Sequence, residues 1–195
     1  MTSSYLGGGT ALALQIGHRK SDDLYFFVAE DFSVSSFKNN IQTAGLEALF
    51  THQTPDHTEL MILSIKVDFI KEQVPLQFPL KPIDPQTENL MMADLRDIGQ
   101  MKIHSIGTIG SKKDFVDLYC LTREMITLES IIAMAMEEDR GVSYSKLLFL
   151  KGLVDFEEAD QEPDSRMIWD ISWEEVKSGL VKEVKEIALD ITAPA

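Results

Sequence analysis

The sequence predicts an α/β (α+β) fold, a small mixed sheet flanked by helices and followed by a helical C-terminal region. Three observations carry this. Residues Leu6 to Phe27, LGGGTALALQIGHRKSDDLYFF, read as strand, glycine turn, helix and strand. Two β-like apolar runs follow, Leu46 to His52 and Glu59 to Ile70, joined by a turn at Thr54 to His57. Beyond residue 90 the apolar residues recur at helical spacing. The chain therefore divides into a core, 1–90, and a helical region, 91–195, expected to close a pocket as one compact unit.

The first stretch organises the rest. Tyr5 and Leu6 lead into Gly7, Gly8 and Gly9, Thr10 opens an Ala/Leu-rich helix ending near Gly17, and a strand is expected over Asp23 to Val28. Glycines directly before a helix let backbone approach a ligand, and the free N–H groups and dipole at that helix end suit a phosphate. A flexible turn with a threonine cap accounts for the same residues. His18, Arg19 and Lys20 add cations at once, and Asp23 adds a carboxylate.

Downstream, Phe32 to Ala44 reads as a helix with Ser33 as N-cap, ending at Gly45. His52 and His57 flank the next turn and read as surface hairpin histidines. In Glu59 to Ile70 the feature to explain is Asp68, a carboxylate inside an apolar strand, which faces water at an edge or needs a partner or a metal. Val74 to Pro85 holds four prolines and reads as a wrapping loop. A helix resumes at Leu95 with Ile98, Met101, Ser105 and Ile106 on one stripe. Lys102 shares that stripe and either snorkels to the rim or meets an anion. Ser111 and Asp114 have capping-box spacing, while Asp117 sits one turn on among apolar neighbours. Leu128 to Met136, Ser143 to Leu153 and Ser172 to Ile187 read as helices, the last with Ser172 and Glu175 as a capping box. The stretch DFEEADQEPDSRM between them reads as a solvated acidic loop.

Composition narrows the function. The 195 residues support a real core, and a net charge of −14 argues against broad nucleic-acid binding while leaving room for a local basic pocket. No apolar run is long enough to span a membrane, MTSSYLGGG lacks a signal-peptide pattern, and the lone Cys120 forms no internal disulfide, so a cytoplasmic location is expected. Cys120, in apolar helical context, reads as a buried small hydrophobe.

The motif GGTALALQIGHRKS-x-D-L before an apolar strand resembles the first motif of the AbiEii/AbiGii toxin family, within the nucleotidyltransferase superfamily of the DNA polymerase beta type. IKVDFI, DIGQMK, GSKKDFVDLY and the C-terminal FEEADQEP with ISWEEVK extend the likeness over essentially the whole chain. The helix that relatives usually carry before the glycine turn is missing, and the Asn-Gly turn they often have before the Asp68 strand is reduced to Ser64.

The resemblance implies transfer of a nucleotide from a nucleoside triphosphate to an acceptor such as tRNA, in a bacterial type IV toxin–antitoxin or phage-defence system with a cognate antitoxin. It assigns Gly8, Gly9, Thr10, Arg19, Lys102 and Lys113 to the nucleotide, and Asp23 and Asp68 to Mg2+ or Mn2+. Asp23, Asp68, Lys102 and Asp117 become the catalytic set, with Asp117 as base or orienting group.

Two positions depart from the family pattern: Tyr25 replaces the second metal aspartate, and Ile109 stands where relatives commonly have arginine. Asp22 does not replace the missing carboxylate, because strand alternation turns it away from positions 23 and 25. Two alternatives follow: a catalytically impaired relative that binds nucleotide or a partner, and a small-molecule nucleotidyltransferase.

Overall fold

The computed structural model describes residues 4–29, 33–71, 76–84, 86, 90–137 and 145–192. The chain forms two compact units, Met1–Leu14 with Ser21–Asp94, and Gln15–Lys20 with Leu95–Ala195.

The first unit is built on a seven-stranded mixed sheet. Strand β1 (Ser4–Gly7) leads into helix α1 (Gly8–Ile16), and β2 (Leu24–Val28) follows. Helix α2 (Val34–Thr43) precedes three consecutive strands: β3 (Ala48–Gln53), β4 (His57–Ile62) and β5 (Ile65–Lys71). The short β6 (Lys81–Pro82) and β7 (Met91–Met92) complete the order β3-β4-β5-β2-β1-β7-β6. Strands β2 and β5 pair in parallel, as do β1 and β7, while β1/β2, β3/β4, β4/β5 and β6/β7 are antiparallel.

The strand-to-helix turn needs glycine for a conformational reason: Gly8 has φ +62°, which an L side chain rarely adopts. Register fixes the faces of the sheet. Tyr5 stacks on Phe27 at 5.6 Å on one face, and Phe26 stacks on Phe69 at 5.5 Å on the other, where Phe37 of α2 also packs on Phe69 at 4.3 Å.

Several sequence expectations change here. The run Glu59 to Ile70 is two strands, reversed at Leu63 and Ser64 with φ +50° and +66°. Both residues take the left-handed conformation that an Asn-Gly hairpin turn would supply, because the β4/β5 register requires a tight reversal there. The strand expected from Asp23 starts at Leu24, and α2 starts at Val34 after Ser33, whose side chain makes no capping bond. Phe32, proposed as the start of that helix, lies outside the described residues. Asp68 is not on an edge strand, since β5 lies between β4 and β2. The proline-rich loop yields β6 at the sheet edge, where Pro82 needs no ladder donor.

The second unit is helical: α3 (Leu95–Ile109), α4 (Lys112–Glu124), α5 (Leu128–Glu137), α6 (Lys146–Gly152), α7 (Glu157–Asp160) and α8 (Trp173–Thr192). Its core gathers Ile98, Ile103, Phe115, Leu118, Leu121, Ile131, Ile132 and Leu180, all almost fully buried. Serines start three of these helices. Ser111 and Asp114 form a complete capping box, and the side chains of Ser145 and Ser172 accept from the backbone N–H groups of Leu148 and Glu175. Ser143, expected to open α6, lies outside the described residues. The expected acidic loop contains α7, and Asp160 accepts from Trp173 Nε1 and Lys177 Nζ. Cys120 is buried, and burial pushes its thiol up to about 12, so it serves as packing. Among the described residues no helix is long and apolar enough to cross a membrane.

Candidate functional site

In the first unit the candidate residues gather where β1 turns into α1 and where β2 lies against β5. Gly8 lies against Tyr25, and a Cβ on Gly8 would sit in ordinary contact with the Tyr25 ring at 3.7 Å. Thr10 Oγ1 donates to the Asp23 carbonyl and lies 2.7 Å from Ser21 Oγ, tying the start of α1 to the chain entering β2. Asp23 is half-buried immediately before β2. Tyr25 is opposite Asp68 in the parallel β2/β5 register, so their side chains share a face.

Asp68 is 1% exposed and is held from β4. His57 Nε2 donates to its Oδ1 at 2.6 Å, while Oδ2 has no hydrogen-bond partner and lies 3.6 Å from Lys66 Nζ. Lys66 is in turn gripped by Glu59 at 2.8 Å and sits 5.9 Å from the centre of the Tyr25 ring. The Glu59 hydrogen bond raises the Lys66 pKa, and the same bond lowers that of Glu59. His57 is therefore no bystander of the hairpin but the residue that positions Asp68; its pairing with an in-strand carboxylate eleven residues on is invisible in the linear sequence.

In the second unit the GHR motif is clamped onto α4. Arg19 makes a two-pronged contact with Asp117, Nε to Oδ1 at 2.6 Å and Nη2 to Oδ2 at 2.9 Å. His18 Nε2 lies 2.8 Å from Asp117 Oδ1, and Lys102 Nζ lies 2.6 Å from Oδ2. Lys102 also donates to Asp114 at 2.7 Å, and Ser105 donates to the same carboxylate. His18, Arg19, Lys102 and Asp117 are nearly sealed from solvent, while Ser105 and Asp114 are half-buried.

Burial alone would raise the Asp117 pKa, but the Lys102 charge and the His18 and Arg19 hydrogen bonds hold it well below the usual carboxylate range. Burial works against the charge of Lys102 too, and Asp117 and Asp114 more than offset it, so its pKa rises. A carboxylate this strongly held as the anion, with its oxygens shared among the Arg19 and Lys102 cations and the His18 ring, is a poor general base. Asp117, to which the resemblance gives the role of base or orienting group, anchors Gln15–Lys20 to the helices. Asp114 is more than a cap, since it holds Lys102 as well. The 19–20 segment is fastened further through backbone bridges from Arg19 to Met167 and from Lys20 to Arg166.

Of the two lysines in GSKK, the exposed one is Lys113, while Lys112 is buried and bonded to the Glu162 carbonyl and Asp164. Asp94 was missed by sequence reasoning. It is 4% exposed just after β7 and ion-paired with Lys81 at 3.0 Å. The signal was present in MMADL, a carboxylate between an apolar pair and a helix start, the same kind of signal that singled out Asp68.

The donor set does not fit a two-metal centre. Among the described residues no three His, Cys, Asp or Glu side chains are grouped to hold a metal ion. Tyr25 stands beside Asp68 where a carboxylate would be needed, and a phenol with a pKa near 10 is a poor ligand for a hard cation. Asp68 itself is engaged by His57 and faces the Lys66 ammonium.

A sequence profile of the nucleotidyl transferase AbiEii toxin family, a type IV toxin–antitoxin system, matches residues 2–191. The chain belongs to the AbiEii toxin family. A relative is the uncharacterised protein aq_aa25 of Aquifex aeolicus (strain VF5), 33% identical over 93% of this chain and 86% of its own length. Three solved structures share the fold. MenT4, a nucleotidyltransferase toxin of Mycobacterium tuberculosis H37Rv, has a TM-score of 0.67 at 17% identity, covering 100% of this chain and 77% of its own. JHP933 from Helicobacter pylori has a TM-score of 0.62 at 16% identity, covering 97% and 85%. The antibiotic-resistance factor ANT(2'')-Ia has a TM-score of 0.52 at 12% identity, covering 69% and 80%. The mixed α/β architecture of this AbiEii chain is thus that of nucleotidyltransferase toxins.

Proposed function

We propose that this AbiEii protein is a toxin-type nucleotidyltransferase that takes a nucleoside triphosphate at the Gly8–Thr10 turn and passes its nucleotide to an acceptor hydroxyl such as that of a tRNA end. The observation that supports it is the strand–glycine turn–helix unit, with Gly8 in a left-handed conformation, Tyr25 and Asp68 on the two strands beside it, and Asp23 immediately before β2. Backbone N–H groups at the start of α1 offer the phosphates donors and a favourable dipole. In the transfer, the acceptor hydroxyl gives up its proton to solvent, its oxygen bonds to the α-phosphorus, and pyrophosphate leaves with the electrons of the broken P–O bond. Nucleotidyltransferases generally work with a divalent metal such as Mg2+ or Mn2+, but the carboxylates present here do not make a complete site, and no step is assigned to one. Arg19 and Lys102 are held by Asp117 within the second unit. Membership of a type IV toxin–antitoxin family supports a cognate antitoxin as partner, and the biological setting proposed is the cytoplasm of a bacterium defending against phage.

A second reading is favoured by one specific observation: Tyr25 in register with an Asp68 whose Oδ1 is already held by His57. Under it the protein binds a nucleoside triphosphate without turning it over. Incubation with each α-labelled triphosphate and total tRNA, in magnesium or manganese, separates the two. Label in tRNA that Gly8→Val abolishes supports transfer; a triphosphate-dependent rise in melting temperature without label supports binding alone. Neither signal at millimolar triphosphate removes the nucleotide site altogether.

A further inference from the structure

The second unit carries a groove that neither reading uses. It has a volume of about 630 Å³ and lies between the C-terminal end of α3 and the α6–α7 segment. Gly107 of α3 and Gly152 of α6 both line it, and a Cβ on Gly152 would sit in ordinary contact, 3.5 Å, with the Gly107 Cα. Two apolar side chains stand open in it, Ile109 at 82% and Leu148 at 50% exposure. Asp155, Glu157 and Glu158 line its rim against a single cation, Lys151.

We infer that this groove docks a cationic amphipathic segment of a partner protein. The shape and the apolar pair suit two or three apolar side chains at one-turn spacing. The rim of three carboxylates and one ammonium selects lysine or arginine around them, since complementary rim charges steer encounter and fix orientation. The same rim, on a chain of net charge −14, repels a nucleic-acid backbone, so an RNA acceptor is the wrong occupant for this face.

The test uses the full chain without nucleotide, so its outcome is independent of the transfer chemistry. A fluorescein-labelled helical Leu/Lys peptide is titrated by anisotropy against wild type, Ile109→Arg, Glu157→Gln with Glu158→Gln, and a control, Glu124→Gln with Glu186→Gln, which removes the same charge from exposed positions elsewhere. All are surface changes, and thermal melts verify folding. Wild type should bind saturably at one site, each groove variant should weaken binding about tenfold, and the control should stay within about twofold. Equal weakening by groove and control variants would reduce the effect to diffuse charge and overturn the inference. So would equal binding of a Leu/Glu peptide, no saturable binding of the Leu/Lys peptide, or displacement of the bound peptide by an RNA oligonucleotide.

Discussion

Asp117→Asn tests the buried ion cluster most directly. The change keeps the shape of the side chain and removes the charge that Arg19 and Lys102 share, leaving two sealed cations with Asp114 as the remaining anion. Breaking a buried pair by deleting one partner costs about 3–5 kcal/mol. For a chain of this length each kcal/mol moves the midpoint by about 2–4 °C, so the melting temperature at neutral pH should fall by roughly 6–20 °C. The pH dependence has a definite sign. Asp117 and Asp114 have folded pKa values below their ordinary ones, so their stabilisation is complete above the unfolded carboxylate range near pH 4 and is lost as pH falls through the lower, folded values. Lys102 and Arg19 are shifted upward, so their share is complete below their ordinary values and is lost only on strongly alkaline titration. Calorimetric melts from pH 7 down to pH 3 should therefore show the gap between wild type and Asp117→Asn constant to about pH 5 and narrowing below pH 4. A gap under about 1 °C at pH 7, or one that widens in acid, would refute the cluster as a stabilising anchor.

Other consequences follow from particular contacts. Tyr25→Asp places a second carboxylate next to Asp68 and should raise label transfer from a triphosphate at least about tenfold over wild type in magnesium; an unchanged rate would show that the missing carboxylate does not limit turnover. Leu63→Asn with Ser64→Gly puts turn-compatible residues at two left-handed positions and should stabilise the β4–β5 hairpin by about 1 kcal/mol, read as a higher urea midpoint with unchanged slope. Gly179→Ala drives a methyl group into the Tyr119 ring between α8 and α4, and should cost about 1–3 kcal/mol in the same urea assay. His57→Ala should leave Asp68 without its hydrogen-bond donor and lower stability by about 1–3 kcal/mol, with His57→Gln recovering part of the loss.

What the sequence determined by itself is local. Glycine before an Ala/Leu helix specified the β1–α1 turn, serine three residues ahead of an acid specified the starts of α4 and α8, and helical spacing specified the second unit, because capping, φ preference and amphipathic period act over a few residues. Asp68 and Asp117 stood out for the same kind of reason, as carboxylates in apolar surroundings. Their partners were not legible. His57 reaches Asp68 only through the β4/β5 register, and Arg19 reaches Asp117 across 98 residues of chain. The tertiary structure alone decided that Gln15–Lys20 folds with the helices, while the glycine turn before it and Asp23 after it fold with the sheet. The physical reason is that a buried charge is stable only beside its counter-charge, and the placement of that counter-charge is set by packing between distant segments rather than by the residues next to it in sequence.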